Sequence, residues 1–352
     1  MDQALRHGMV DNPGCCGGES TFSGKHYVSI DGGGSKCFAL LFDGQMNLLG
    51  KGLSGGVNLT QNAPSHARAN IGDCIAQAFS ACKPQQVDRL YLNFLGDRAV
   101  LEEVISSYAP IMEVCCLGEA QAMLYAGLQR NHGMVALSGT GSDVFFLYSD
   151  KHGQPRQHGC GGWGPILGDQ GSGAWIGQKA LRAAIRSADG WGPDTMLTDM
   201  IKVHWQLNNL FDMTSLVYAD PAPFQRVASL TPLVGQAAAR GDDMALHILR
   251  GAGICMARQA EVLVRRLGDA LTETEVLCAG GAWKAHAAMF HAFGEELRRR
   301  GVPLRPVLPP FEPVAAGVIC ELLGSGHTEA EARAITARQF PDVVINWPFG
   351  LD

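Results

Sequence analysis

Two short glycine-rich segments of this chain say nearly the same thing. "IDGGGSKCFALLFD" runs from Ile30 to Asp43, and "LSGTGSDVFFLYSD" from Leu137 to Asp150. Superposed, Gly32 meets Gly139, Gly34 meets Gly141, Ser35 meets Ser142, Phe38 meets Phe145 and Leu40 meets Leu147. Each copy reads as an apolar strand, a glycine reversal and a second apolar strand. A reversal without side chains lets backbone N–H groups close around an anion, and phosphate suits such a nest. One "GGGS" alone reads equally well as a plain hairpin turn. Two copies at matching positions favour phosphate, gripped by two loops facing one another across a cleft. Asp31 abuts the first loop, where a carboxylate organises Mg2+ through water, with turn capping as its plainer use.

Two further stretches carry chemistry. "CAGGAWK", Cys278 to Lys284, follows an apolar strand and precedes a helix, so its glycine pair admits a flat base close to the backbone. "GCGGWGPILGDQGSGAWIG", Gly159 to Gly177, holds eight glycines in 19 residues, two Trp and one acid, Asp169. A linker has no use for that apolar content. The stretch reads as a pocket for a small polar ligand, with Asp169 accepting hydrogen bonds from sugar hydroxyls and Trp163 as a wall. An Ω-loop packed on itself is the alternative.

These segments need elements to hold them. "HYVSID", "CFALLFD" and "NLLGKGL" predict an antiparallel meander over 26–53. A helix over 63–82 follows, then a buried strand at 87–96, a helix at 98–108, a strand at 111–118 and a helix from Glu119 to Leu128. At Met134 the order restarts. Long helical stretches fill 172–188 and 243–268, before a strand at 275–283 and a final strand, helix and tail. Alternating β and α predict sheets covered by helices. The expected domains are a flexible extension over 1–25, lobes over 26–133 and 134–325, and a tail over 326–352 packing back on the first lobe.

Composition sets outer limits. The chain has 352 residues, 46 % of them hydrophobic and 18 % charged, enough for two globular lobes. A net charge of −6 argues against nucleic acid or an anionic membrane surface as partner. No apolar run reaches the length of a membrane span, and the first 25 residues lack the apolar centre of a secretory signal. The 11 cysteines show no CxxC spacing, which argues against zinc or iron–sulfur ligation and fits a reducing cytoplasm.

Taken together, these motifs resemble the sugar kinase/Hsp70/actin superfamily, and within it the N-acetylglucosamine kinase and BadF/BadG/BcrA ATPase group. "DGGGSK" resembles the first phosphate motif, "LSGTGSD" the second, "CAGGAWK" the adenosine motif and "GCGGWGPILGDQGSG" the substrate signature, over about 26–325. "GLSGGVN" is similar to a sugar-contacting loop and supplies Asn58. The resemblance implies an α/β, two-lobed actin-like ATPase (ribonuclease H-like) fold with duplicated mixed sheets. It implies ATP and Mg2+ as cofactors, phosphorylation of an amino sugar at its 6-hydroxyl, and a homodimer. Gly33, Gly34, Ser35, Lys36, Gly139, Thr140 and Gly141 would hold phosphate, and Gly280, Gly281 and Lys284 would lie by the adenosine. Asn58, Gly162, Trp163, Gly164 and Asp169 would hold the sugar.

One position departs from the family pattern. The usual catalytic Asp is replaced by Glu119 in "LGEAQAMLYAG". A carboxylate between a strand end and a helix start suits a general base. Glutamate is one methylene longer, and about 1 Å of misplacement costs on the order of 100-fold in rate. A non-catalytic sensor of sugar or nucleotide is therefore a competing expectation, as are kinases of glucosamine or other amino sugars. Asp97 is a weaker stand-in base. An ATPase driving electron transfer through a bridging cluster needs a cysteine motif, and none is visible.

Overall fold

A computed structural model describes residues 24–59, 62–150, 154–220, 222–268, 271 and 274–349. Most of the expected N-terminal extension, residues 1–23, lies outside the described residues.

Contacts divide the chain into two compact units. The first takes the residues up to His132, then Tyr148–Pro155 and Pro309–Ile345. Its sheet is built from β1 (His26–Gly32), β2 (Lys36–Asp43), β3 (Leu48–Gly55), β4 (Arg89–Phe94) and β5 (Val114–Cys116). The strand order is β3-β2-β1-β4-β5. β1, β2 and β3 form the expected antiparallel meander, while β4 and β5 add parallel to β1. Parallel addition requires crossovers, and helices α1 (Pro64–Ala78) and α2 (Arg98–Ser106) supply them. α3 (Glu119–Leu128) follows β5.

Strand alternation decides which residues meet which layer. Val28, Ile30, Ala39 and Leu41 point to one face and bury against Ile71, Ile75 and Leu101 of α1 and α2. Tyr27, Phe38, Leu40 and Phe42 point to the other, where Phe311, Val314, Val318, Ile319 and Leu322 cover them. Phe311 precedes a short 3-10 turn (Pro313–Ala315), and the other covering residues come from that turn and from helix α11 (Ala316–Gly324). The chain thus returns to the first unit at Pro309 rather than at 326, because this apolar face must be buried. α12 (Glu329–Gln339), which the sequence reading did not resolve, carries Ala332 into the same core.

The second unit has the same plan. Its strands are β6 (Gly133–Ser138), β7 (Ser142–Ser149), β8 (Pro155–Gly161), β9 (Glu275–Ala279) and β10 (Arg305–Val307). Their order, β10-β9-β6-β7-β8, repeats that of the first sheet strand for strand. β8, with the sequence "PRQHGCG", has no apolar alternation and escaped the sequence reading. Between β8 and β9 the chain inserts α4 (Gly173–Ala188), α5 (Leu197–His204), α6 (Met213–Tyr218), α7 (Pro223–Ala228), α8 (Thr231–Ala239) and α9 (Asp243–Leu267). α10 (Ala287–Arg299) follows β9 and packs on α9. Among the described residues no helix is long and apolar enough to cross a membrane.

Candidate active site

In the first unit, the glycine reversal links β1 to β2. Gly33 N–H donates to the Lys36 carbonyl at 2.9 Å and closes the turn. The Gly33 carbonyl accepts from the amides of Val57 (2.8 Å) and Asn58 (3.1 Å). The Gly34 carbonyl accepts from Asn62 Nδ2 at 3.1 Å. A peptide unit is planar and trans, so a carbonyl drawn one way turns the next N–H the other way. The segment after β3 therefore aims the amides of Gly34 and Ser35 away from itself. Ser35 is exposed at the tip.

Asp31 is the last side chain of β1 before the loop. It sits in register with Phe38 of β2 and Asn93 of β4. Asn93 Nδ2 donates to Asp31 Oδ1 at 2.7 Å. Burial pushes the Asp31 carboxyl up to about 6, and the charges of Glu312 and Glu119 push the same way. Lys36 and the Asn93 hydrogen bond oppose the rise. Lys36 Nζ is paired with Glu312 Oε2 at 2.9 Å. Glu119 is exposed at the first position of α3, behind Gly118, whose N–H donates to Gln121 Oε1 at 3.3 Å. Three carboxylates and one ammonium thus share the strand ends. Among the described residues no three His, Cys, Asp or Glu side chains group closely enough to hold a metal directly. The donor set suits a hydrated Mg2+ carried in by phosphate groups, which keeps several of its waters.

Asp97 does not join this group. Its carboxylate accepts from the amides of Ala99 (3.0 Å) and Val100 (3.2 Å), so it caps α2. Asn93 and Glu312 are the residues that sequence reasoning missed. Asn93 had a signal, a lone amide inside the apolar run "LYLNFLG". Glu312 had none, since it lies 276 residues from its partner Lys36.

The second unit repeats the loop. Gly139 N–H donates to the Gly141 carbonyl at 2.9 Å. The carbonyls of Gly139 and Thr140 accept from the amides of Gly173 (2.8 Å) and Ala174 (3.1 Å), at the start of α4. By the same planarity, the amides of Thr140 and Gly141 turn away from α4. Ser138 Oγ donates to the Gly171 carbonyl at 2.7 Å, which anchors the glycine-rich stretch beneath the loop. Asp169 holds a left-handed backbone, with φ of 56°, and is buried. Its Oδ1 accepts from Gly164 N–H at 3.0 Å. A Cβ on Gly141 would lie 2.7 Å from Asp169 Oδ2, so this carboxylate reaches the glycine loop itself. Burial raises the Asp169 pKa, against hydrogen bonds from the Gly164 and Ser142 amides.

Gly162 is tied to this site, its N–H donating to the Ser142 carbonyl at 3.0 Å. Trp163 is 48 % exposed. Gly280, with φ of 107°, leaves β9 against the loop, and a Cβ there would lie 2.3 Å from the Ser138 carbonyl oxygen. Gly281 and Lys284 bound the short 3-10 turn that follows. Trp283 between them is buried and donates Nε1–H to the Ala136 carbonyl at 3.0 Å.

Two five-stranded sheets of one strand order, each with a glycine reversal at the matching hairpin, define an actin-like ATPase fold. The chain belongs to the BadF/BadG/BcrA/BcrD ATPase family, whose profile matches residues 28–319. The chain is 26 % identical over 264 residues to the N-acetylmuramic acid/N-acetylglucosamine kinase of Clostridium acetobutylicum, covering 73 % of this chain and 85 % of that protein. It is 29 % identical over 264 residues to the N-acetyl-D-glucosamine kinase of Dictyostelium discoideum, covering 69 % and 80 %. The crystal structure of a ROK family glucokinase from Streptomyces griseus, in complex with glucose and AMPPNP, shares the fold. Its TM-score is 0.52 at 13 % identity, covering 84 % of this chain and 97 % of that one.

Proposed function

We propose that this chain is an ATP-dependent amino-sugar kinase that phosphorylates N-acetylglucosamine at its 6-hydroxyl. The observation that carries the reading is the pair of hydrogen bonds on Gly33. Its carbonyl accepts from Val57 and Asn58, so the loop assigned to sugar and the loop assigned to phosphate are one bonded structure. The printed activities of the two curated relatives support the substrate class.

In this reading the first unit contributes Gly33, Gly34, Ser35 and Lys36 to the phosphates, and the second contributes Gly139, Thr140 and Gly141. Gly280, Gly281 and Lys284 lie by the adenosine. Asn58, Gly162, Trp163, Gly164 and Asp169 hold the sugar. Mg2+, bound with the nucleotide, supplies charge neutralisation at the transferred phosphate. Asp31 would hold that ion through a water. Glu119 orients the 6-hydroxyl and takes its proton as the oxygen bonds to phosphorus and ADP departs. The remaining contribution is position and fixed amide dipoles. A cytoplasmic setting rests on the cysteine usage, and a homodimer on the family resemblance.

Glutamate in place of the usual Asp favours a second reading, a sensor that binds without turnover. A coupled ADP-release assay with Mg-ATP separates the two. The panel is N-acetylglucosamine, glucosamine, N-acetylmannosamine, N-acetylmuramic acid and glucose, each also with Glu119→Ala. Turnover of one amino sugar that drops about 100-fold or more in the variant supports the kinase with Glu119 as base. Thermal stabilisation by a sugar without turnover supports the sensor.

A further inference from the structure

We propose that Glu312 is a positioning residue of the phosphate site, holding the Lys36 ammonium off Asp31 so that the Asp31 carboxylate stays available to hydrated Mg2+. The inference rests on the kinase reading for the identity of the cation's carrier, a nucleotide phosphate.

Directly opposed residues of an antiparallel pair share a face, and so do residues two apart on one strand. Asp31 opposes Phe38. Lys36 stands two residues before Phe38, and its Nζ lies 6.0 Å from the Phe38 ring centroid. Lys36 therefore projects on the face that carries Asp31. Two carboxylates, Asp31 and Glu312, compete there for one ammonium. The pair that forms is Lys36 with Glu312, at 2.9 Å.

Glu312 is held by its backbone and cannot follow Lys36 elsewhere. Its N–H donates to the Val343 carbonyl at 2.8 Å, and its carbonyl accepts from Ala315 N–H at 3.0 Å. One turn on, Ser29 Oγ donates to the Val314 carbonyl at 2.6 Å and accepts from Gly317 N–H at 3.2 Å. A Cβ on Gly317 would fall 2.6 Å from Ser29 Oγ, so the segment lies directly on β1. Ser29 and Asp31 are two apart on β1 and face the same way. The segment from Glu312 to Gly317 thus delivers a fixed carboxylate beside Asp31. Remove its charge, and Asp31 is the carboxylate left to Lys36 on this face of β1 and β2. An ammonium on that oxygen displaces a cation's water.

The test compares Glu312→Gln, Lys36→Met and the double variant. ADP affinity is measured by calorimetry with and without Mg2+, the Mg2+ dependence of turnover is titrated, and melting temperature checks the fold. Glu312→Gln is expected to shrink the gain in ADP affinity from Mg2+ by about 5–10-fold, and to raise the half-saturating Mg2+ by a similar factor. ADP affinity without Mg2+ stays the same or tightens, because one negative charge has left the anion site. KM for the sugar stays within about twofold. Lys36→Met is expected to weaken ADP with and without Mg2+ alike, since Lys36 is read on the phosphates, but to keep the ratio of the two affinities, and in the double variant it restores the ratio that Glu312→Gln lost. The proposal is overturned if Glu312→Gln leaves the Mg2+ dependence unchanged. It is equally overturned if Lys36→Met loses as much, if the double variant shows no rescue, or if ADP does not bind. Should Glu312→Gln fail to fold, Glu312→Met replaces it under the same criteria. Absent turnover with the predicted calorimetric pattern would sink the kinase reading and leave the role of Glu312 standing.

Discussion

Asn93 of β4 donates its Nδ2–H to Oδ1 of Asp31 on the neighbouring parallel strand, at 2.7 Å. This bond stabilises the charged form of a carboxyl that burial disfavours. Asn93→Leu is expected to raise the Asp31 pKa further and to lower kcat/KM by about tenfold near neutral pH, roughly one hydrogen bond to a charged group. The acid limb of the pH–rate profile should move upward in the variant. An unmoved acid limb would remove Asn93 from the site.

Activity in the wild-type protein should fall on the acid side with a midpoint near 6, where Asp31 takes up a proton. Stability responds in the opposite sense. The folded-state pKa lies above the ordinary value of 3.8, so the folded state binds the proton more tightly than the unfolded chain does. The stability this group contributes is complete below about 3.8 and is lost as pH rises through about 6. Asp31→Asn is therefore expected to abolish the acid limb along with most activity, while raising the melting temperature at pH 8. Thermal melts at pH 5 and pH 8, for both proteins, check the sign.

Gly280→Ala puts a Cβ 2.3 Å from the Ser138 carbonyl, at a φ of 107° that side chains rarely adopt. The expected cost is about 2–3 kcal/mol of stability, from strain and a forced shift of the second glycine loop. Urea unfolding measures the cost. Calorimetry should show a parallel loss of nucleotide affinity, since the displaced peptide is that of Ser138 and Gly139.

Glu321 of α11 ties the C-terminal segment to the first sheet. Tyr91 OH donates to its Oε1 at 2.6 Å, and an Arg89 guanidinium nitrogen lies at 2.8 Å. Glu321→Ala is expected to cost about 1–3 kcal/mol, because it removes the acceptor shared by the buried Tyr91 hydroxyl and Arg89, which keeps Glu113. Tyr91→Phe removes one hydrogen bond and should cost about 1–2 kcal/mol. A loss below about 1 kcal/mol for Glu321→Ala in a denaturant titration would mean that Glu113, the second partner of Arg89, carries the charge alone.

Much of this site is legible in the chain itself, for a local reason. A glycine reversal, a strand parity and a helix start are set by residues a few positions apart. Gly32 to Ser35 and Gly139 to Ser142 therefore announce their turns, and Asp31 and Glu119 their places at a strand end and a helix start. The repeated segment likewise foretells two sheets of one plan. What surrounds Asp31 depends on pairing across long separations. Asn93 arrives because β4 adds parallel to β1, a register that no local pattern carries. Glu312 arrives because the apolar face of β1 and β2 needs a cover, and the segment after Pro309 supplies it. The same holds for β8, whose "PRQHGCG" becomes a strand only by pairing with β7. It holds for Asp169, whose left-handed backbone brings a residue read as a sugar ligand against Gly141. Local steric and periodic rules act within a few residues and survive in sequence. Partners of a buried charge are chosen by burial and register, which exist only once the chain has folded.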